Sequence, residues 1–272
     1  HEENNAVLMR FVENDLKVVD KLLQSHFHTL NDDKALRKKL SQSLSVLEAL
    51  ERIVPNLQNW HVIDLCCGKS LTSILAVLRH PGCVATAVDR VLPCNMPHYA
   101  EAGLDTVRYR RLDVLAADAI DRLRSWSLDD DGQWAGRPVA VLGMHLCGRL
   151  SEQAAELFSS SCRAGACVLS PCCLPSMEKA PIALQPLYRQ RASLDFRTLD
   201  KQQYQGWCEH LRSLLSAVKG TRVESMEVPE MFSLKRTVLV AARDEWLQGS
   251  SELQKAHMIP EQGATEQILG VQ

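Results

Sequence analysis

Five short stretches gather the residue types that chemistry uses. Asp64-Leu-Cys-Cys-Gly-Lys-Ser70 closes an apolar run with an acid, two small thiols and a glycine; Asp89 follows 21 residues after Gly68, and Asp113 ends a third run. Further on stand His145-Leu-Cys147-Gly148 and Pro171-Cys172-Cys173. A glycine lets the backbone bend sharply and approach a ligand, and small neighbours such as Cys66 and Cys67 keep space open around the bend. Asp64 can accept from a bound ammonium or fix the loop itself. An acid at the tip of a second strand can take both hydroxyls of a ribose, and one after the third strand is placed for an adenine edge. Three acids on successive tips suit an adenosine-bearing ligand without phosphates, which carboxylates repel. A dinucleotide would call for a GxGxxG fingerprint, and the chain has none. These residues favour S-adenosylmethionine (SAM).

His145 and Cys147 are two apart and share a face if strand geometry persists to them. An imidazole titrates near ~6.5, so His145 can take the proton of an acceptor such as a ribose hydroxyl. It can equally pin the loop by hydrogen bonds. Cys147 or Cys172 can serve as a nucleophile activated by His145, or pack as an inert thiol. Pro171, Cys172 and Cys173 would wall the acceptor pocket. No metal set is expected, because structural zinc usually draws on CxxC-type spacing and the chain has none.

The elements that must position these residues read as alternating strands and helices. Strands are expected over 60–65, 83–89, 106–111, 138–144 and 166–170, with helices over 71–79, 95–103, 116–124 and 151–162 between them. Ser151 is the expected N-cap of the last. That alternation builds a parallel sheet with helices on its faces, and ligands bind beyond its carboxyl edge. A helix over 202–218 leads to two β-like runs, 221–228 and 234–242, too close for a helix between them and so an antiparallel hairpin at the sheet edge. The fold expected is α/β: a Rossmann-like, mostly parallel seven-stranded sheet with a C-terminal antiparallel hairpin. Ahead of it, apolar residues recur at three and four over 8–23 and again from Leu36 to Leu50, giving two helices with Asn31 and Asp32 as turn and cap. The divisions are an N-terminal helical extension at 1–58, the main domain at 59–246 and a peripheral tail at 247–272.

The ordered set DLCCGKSLTS, AVDR, RLDVL, MHLCGRLSEQA and LSPCCLP resembles a branch of class I SAM-dependent methyltransferases. That branch is marked by a GKG-type first motif, HLCG or HTCG after strand four, and a Cys-Cys pair after strand five. It includes eukaryotic tRNA 2′-O-ribose methyltransferases and related methyltransferase-like proteins. The resemblance covers about residues 60–175. It implies SAM contacts from Asp64, Cys66, Gly68, Lys69, Ser70, Asp89, Arg90, Asp113, Val114 and His145, with His145, Cys147 and Cys172 at the reacting centre. Cys66 and Ser70 stand where the family tends to have glycine, and the cysteine-histidine zinc modules of the tRNA enzymes are absent from this sequence.

Composition bounds the partners. At 272 residues, 46% hydrophobic and 24% charged, with a formal charge of −2, the chain carries no global attraction to nucleic acid or an anionic membrane. Segment 186–222 is locally basic, with seven Lys and Arg against three acids, which offers RNA a contact. No apolar run is long enough to span a bilayer, and HEENN lacks the features of a signal peptide. Ten cysteines, two pairs of them adjacent, fit a reducing compartment, the cytoplasm, better than a disulfide scaffold. The expectation is a SAM-dependent methyltransferase acting on RNA. A small-molecule methyltransferase and a SAM-binding or inactive scaffold are the alternatives.

Overall fold

The computed structural model describes residues 33–68, 70–91, 105–128, 134, 136–175, 177–186, 196–228 and 237–247. The helices expected over 8–23 and 95–103, the Asn31-Asp32 cap, Lys69, Arg189, Arg191 and the tail beyond Leu247 lie outside these residues.

The helices are α1 (Asp33–Glu51), α2 (Leu71–Arg79), α3 (Ala119–Leu128), α4 (Arg149–Ser160) and α5 (Phe196–Ser216). The strands are β1 (His61–Leu65), β2 (Val84–Asp89), β3 (Val107–Arg111), β4 (Val139–Cys147), β5 (Ala164–Cys173), β6 (Thr221–Glu227) and β7 (Thr237–Arg243). They form one seven-stranded sheet in the order β3-β2-β1-β4-β5-β7-β6. All neighbours from β3 to β5 are parallel, and β7 runs antiparallel to both β5 and β6. The expected Rossmann-like architecture is therefore observed. The hairpin does not simply extend the edge: β7 inserts beside β5 and leaves β6 outermost. Pattern explains the choice, since β7 is apolar from Val238 to Ala242 and buried beyond its first residue, whereas β6 alternates and carries Arg222, Glu224 and Glu227, charges that suit an edge strand.

Both faces of the sheet are covered, which is why its central strands read as continuous apolar runs. On one face Leu40, Leu44, Leu47 and Leu50 of α1 join α2 over Val62, Leu142 and Val168. Each such leucine contributes about 1.5–3 kcal/mol by leaving water. The opposite face packs α3, α4 and α5, including Phe158 and Trp207, on Ile63, Val141 and Leu169.

Two differences from expectation matter for the site. Strands β4 and β5 run on through His145-Leu-Cys and Pro-Cys-Cys, because their ladder survives two irregularities beyond Met144. In addition, α4 begins at Arg149 with Gly148 in the cap position, so Ser151 is not the N-cap. Ser151 lies buried in the first turn and its hydroxyl donates to Leu146 O at 2.8 Å.

Candidate functional site

The order of strands reverses between β1 and β4, and the candidate residues collect on the carboxyl edge there. The bend after β1 is built on alternating left-handed residues: Cys66, Gly68 and Ser70 have φ of 55°, 56° and 53°. Cys67 N–H donates to Val88 O at 3.0 Å and Gly68 N–H to Asp89 Oδ2 at 2.9 Å, so the loop is tied to the end of β2. The second oxygen of Asp89 accepts from Val91 N–H at 3.0 Å. A Cβ at Gly68 would meet nothing within 4 Å, so the bend faces open space. Ser70 hydroxyl bonds Tyr109 hydroxyl of β3.

Left-handed backbone costs an L-residue about 1–2 kcal/mol. Cys66→Gly is therefore expected to raise unfolding stability by about 1 kcal/mol, and Cys66→Val, branched at Cβ, to lower it by about as much. Equilibrium urea denaturation measures both. A glycine variant as unstable as the valine one would show that the bend is relaxed.

Asp64 turns inward. It is 2% exposed, and its Oδ2 accepts from Ser73 Oγ at 2.9 Å in the first turn of α2. Burial pushes its carboxyl up to about 7 against the bonds from Ser73. At the other end of β1, His61 Nε2 pairs with Thr86 Oγ1 at 2.8 Å, and burial with Arg137, Arg108 and Arg163 lowers its ring to about 3. The two have opposite linkage. Asp64 favours folding fully below its ordinary 3.8 and loses this as pH rises through about 7. His61 favours folding above 6.5 and loses this as pH falls through about 3. Over the shared window, roughly pH 4 to 6.5, the slopes oppose at about 1.4 kcal/mol per unit each and stability is expected to be nearly flat. Asp64→Asn should tilt the curve, stability rising with pH; urea midpoints at pH 4, 5 and 6 check it, and parallel curves for the two proteins would refute it.

The remaining acid, Asp113, is exposed and accepts from Leu115 N–H at 3.0 Å. Val114 is buried in the α3–α5 face, and Arg90 is exposed at the end of β2. That these tips converge is reported by one side chain. The Cys66 thiol is pushed up to about 12, first by burial, then by the fields of Asp89, Asp64, Cys147 and Asp113. A thiol so placed is not a nucleophile at neutral pH. Cys67 is shifted upward by burial in the same way.

The β4 and β5 tips are shaped by bulges. Met144 pairs with Ser170, Leu146 with Pro171 and Cys147 with Cys173, leaving His145 and Cys172 without ladder partners. Such bulges re-aim side chains beside sites. His145 takes φ 61°, and its Nε2 lies 2.9 Å from Gln42 Oε1 on α1. An amide oxygen only accepts, so Nε2 carries the proton and Nδ1 is the basic nitrogen. Burial, then Lys38 and Lys39, lower the ring's pKa. Gly148, at φ 53° and ψ −126°, closes the turn, where a Cβ would come 3.2 Å from Pro175 Cα. Gly148 N–H donates to Cys173 O at 3.2 Å, and Tyr204 hydroxyl to Pro171 O at 2.9 Å. The thiols meet: Cys147 Sγ is 3.3 Å from Cys172 Sγ, which is 3.5 Å from Cys173 Sγ. The Cys172 thiol is raised by burial and by its two neighbours.

Gln42, Ser43, Ser73 and Tyr204 were not among the expected site residues. Gln42 and Ser43 sit in a polar run, Ser41-Gln-Ser-Leu-Ser45, whose members are all at most 5% exposed although four are polar. Thr72 hydroxyl donates to Ser43 Oγ at 3.1 Å. Polar residues flanking the leucine stripe of α1 were the available signal.

No protein-family model and no curated protein matches the chain. Among solved structures it is similar to an O-methyltransferase from Bacillus cereus in complex with SAH, at 12% identity over 88% of this chain and 97% of that one, with a TM-score of 0.46. It is also similar to a release-factor-specific protein-(glutamine-N5) methyltransferase from Alicyclobacillus acidocaldarius, at 14% identity over 75% and 92% of the two chains and a TM-score of 0.37. An O-methyltransferase family protein from Burkholderia thailandensis is 13% identical over 89% and 70%, with a TM-score of 0.36. Likeness at this level carries no weight for function, which rests on the rim of this sheet.

Proposed function

We propose that the chain is a SAM-dependent methyltransferase that delivers a methyl group to an oxygen or nitrogen acceptor. The observation that carries this is the left-handed backbone at Cys66, Gly68 and Ser70, held although two of the three are not glycine. Strain of that kind persists where the surroundings impose it, and it clusters at ligand sites. The donor set also fits. Asp89 and Asp113 offer acceptors on neighbouring tips, and the open side of Gly68 leaves room for a ligand. The loop 66–70, Lys69 included, with Asp89, Arg90, Asp113 and Val114 would hold the cofactor, and Asp64 would brace that loop from within through Ser73. When bound, SAM supplies an electrophilic methyl on a sulfonium.

The chain's own groups then position the acceptor and take its proton. His145 Nδ1 is the base; the Gln42 bond keeps the other nitrogen protonated, and burial, then Lys38 and Lys39, disfavour the charged ring. Cys172 shapes the acceptor side rather than attacks, since its raised thiol is a poor nucleophile, and Cys147 lies against it at 3.3 Å.

RNA is the acceptor implied by the motif resemblance, and segment 186–222 would contact it. The described cations of that segment divide. Arg212 pairs with Glu209 at 3.0 Å and Arg222 with Asp244 at 3.6 Å. Arg222 lies opposite Ala242, itself opposite Ala166 near the start of β5. At about 3.3 Å per residue that is roughly 20 Å from Cys172. Lys38 and Lys39, exposed and within the field of His145, are nearer the reacting centre. That placement favours a second reading, a small anionic acceptor. The nine free cysteines of the described residues fit an intracellular, cytoplasmic setting, and no helix among those residues is long and apolar enough to cross a membrane.

Calorimetric titration with SAM and SAH tests the cofactor; no heat with either would leave a scaffold as the reading. Incubation with radiolabelled SAM and fractionated RNA or metabolites identifies the acceptor. RNA association should weaken steeply with salt, because phosphate contacts release counterions.

A further inference from the structure

We infer that Cys147, Cys172 and Cys173 form a three-thiolate site for a soft divalent cation, Zn²⁺, with its fourth position open to solvent or to an incoming ligand. The expectation of no metal rested on spacing along the chain, and the fold overrides that spacing. Two bulges set Cys147 of β4 opposite Cys173 of β5 and leave Cys172 unpaired between them. The three Sγ atoms all lie within 4.8 Å of one another, the neighbouring pairs at 3.3 and 3.5 Å. Thiolates at about 2.3 Å from tetrahedral zinc stand roughly 3.8 Å apart, so shifts of about half an ångström suffice.

The supporting frame is already fixed by bonds that do not use the sulfurs. Gly148 N–H holds Cys173 O, Ser151 hydroxyl holds Leu146 O, and Tyr204 hydroxyl holds Pro171 O. Cys147 and Cys173 are exposed, which gives an ion an entry path. Thiolate ligands select zinc or a softer ion over calcium and magnesium. Among the described residues no fourth histidine, cysteine or carboxylate joins the cluster, and three protein ligands with an open position is the arrangement of reactive rather than structural zinc. Binding exchanges the three thiol protons for the ion, leaving Zn(S-Cys)₃ with one net negative charge.

The test uses reduced, metal-free protein under inert gas. Titration with Co²⁺ should give one equivalent of binding, a near-ultraviolet thiolate charge-transfer band and tetrahedral visible absorption, all abolished by one equivalent of Zn²⁺. Cys147→Ser, Cys172→Ser and Cys173→Ser should each weaken Zn²⁺ binding at least about 100-fold in competition with a chromophoric chelator. Cys162→Ser, an exposed cysteine at the other end of α4, should bind as the parent does. X-ray absorption at the zinc edge of the unaltered protein should show three sulfurs near 2.3 Å, a readout that no folding defect of a variant can disturb. Absence of the charge-transfer band, its survival in any of the three serine variants, or a zinc shell of nitrogen and oxygen alone would overturn the site.

Discussion

Asp89→Ala is expected to lower SAM affinity at least about 100-fold while the sheet remains folded. The carboxylate does two jobs at once. Its oxygens hold Gly68 N–H at 2.9 Å and Val91 N–H at 3.0 Å, fixing the β1 bend against β2. Their remaining lone pairs are the ribose acceptors in the proposed complex. Hydrogen bonds to a charged acceptor contribute about 1.5–3 kcal/mol each, so loss of two amounts to roughly two to four decades of affinity. Asp89→Asn separates the jobs, since one side-chain oxygen still accepts while the amide nitrogen must face a donor. It should fall between the parent and Asp89→Ala. Isothermal titration with SAH measures affinity, and a thermal melt of each variant confirms the fold. Unchanged affinity in Asp89→Ala would remove the β2 tip from the cofactor site and with it the reading of the whole rim.

The distinction between the two jobs also separates what the residues reveal from what they conceal. Strand and helix alternation was legible because burial on both faces forces apolar runs, and α2 falls on 71–79 as expected. Asp89 was legible because a tip acid is set by where an apolar run ends. What the alternation could not show was register. A parallel ladder tolerates an extra residue in each strand, so nothing in Met-His-Leu-Cys or Ser-Pro-Cys-Cys announces that both are strand, or that His145 and Cys172 bulge out. The thiol cluster escaped notice for that reason, because Cys147 stands 25 residues before Cys172 in the chain and meets the Cys172-Cys173 pair only across a ladder. Asp64 is a different case. Its type suits either a bound ammonium or a brace for the loop; the first turn of α2 offers Ser73 on the inner side, and the carboxyl takes that bond in preference to open solvent. The loop glycines are the reverse: substitution to Cys66 and Ser70 suggests altered geometry, and the backbone keeps its left-handed turns. Neighbouring bonds, from Cys67 to Val88 and from Ser70 to Tyr109, evidently outweigh the local preference of the residues themselves.

His145→Ala should slow methyl transfer by about 10²-fold or more and leave SAM affinity within twofold, provided the acceptor carries a proton that must leave. The base is the unprotonated ring. Burial and the two nearby lysines lower its pKa below the ordinary 6.5, so the ascending limb of kcat against pH should have its midpoint below that value. Raising pH through the midpoint removes the ring proton and raises the rate; the alanine variant should lack the limb. Gln42→Leu tests the tautomer rather than the base. Without the amide oxygen at 2.9 Å, the ring proton is free to move to Nδ1, and part of the population loses its acceptor nitrogen. A fall of about tenfold in kcat with KM for SAM unchanged is expected, smaller than for His145→Ala and on the same pH limb. His145→Asn completes the set, since asparagine tolerates the left-handed backbone at φ 61° and cannot act as a base. If turnover in His145→Asn equals that of the parent, the ring serves only to brace α1 against β4, and the proton must leave by another route.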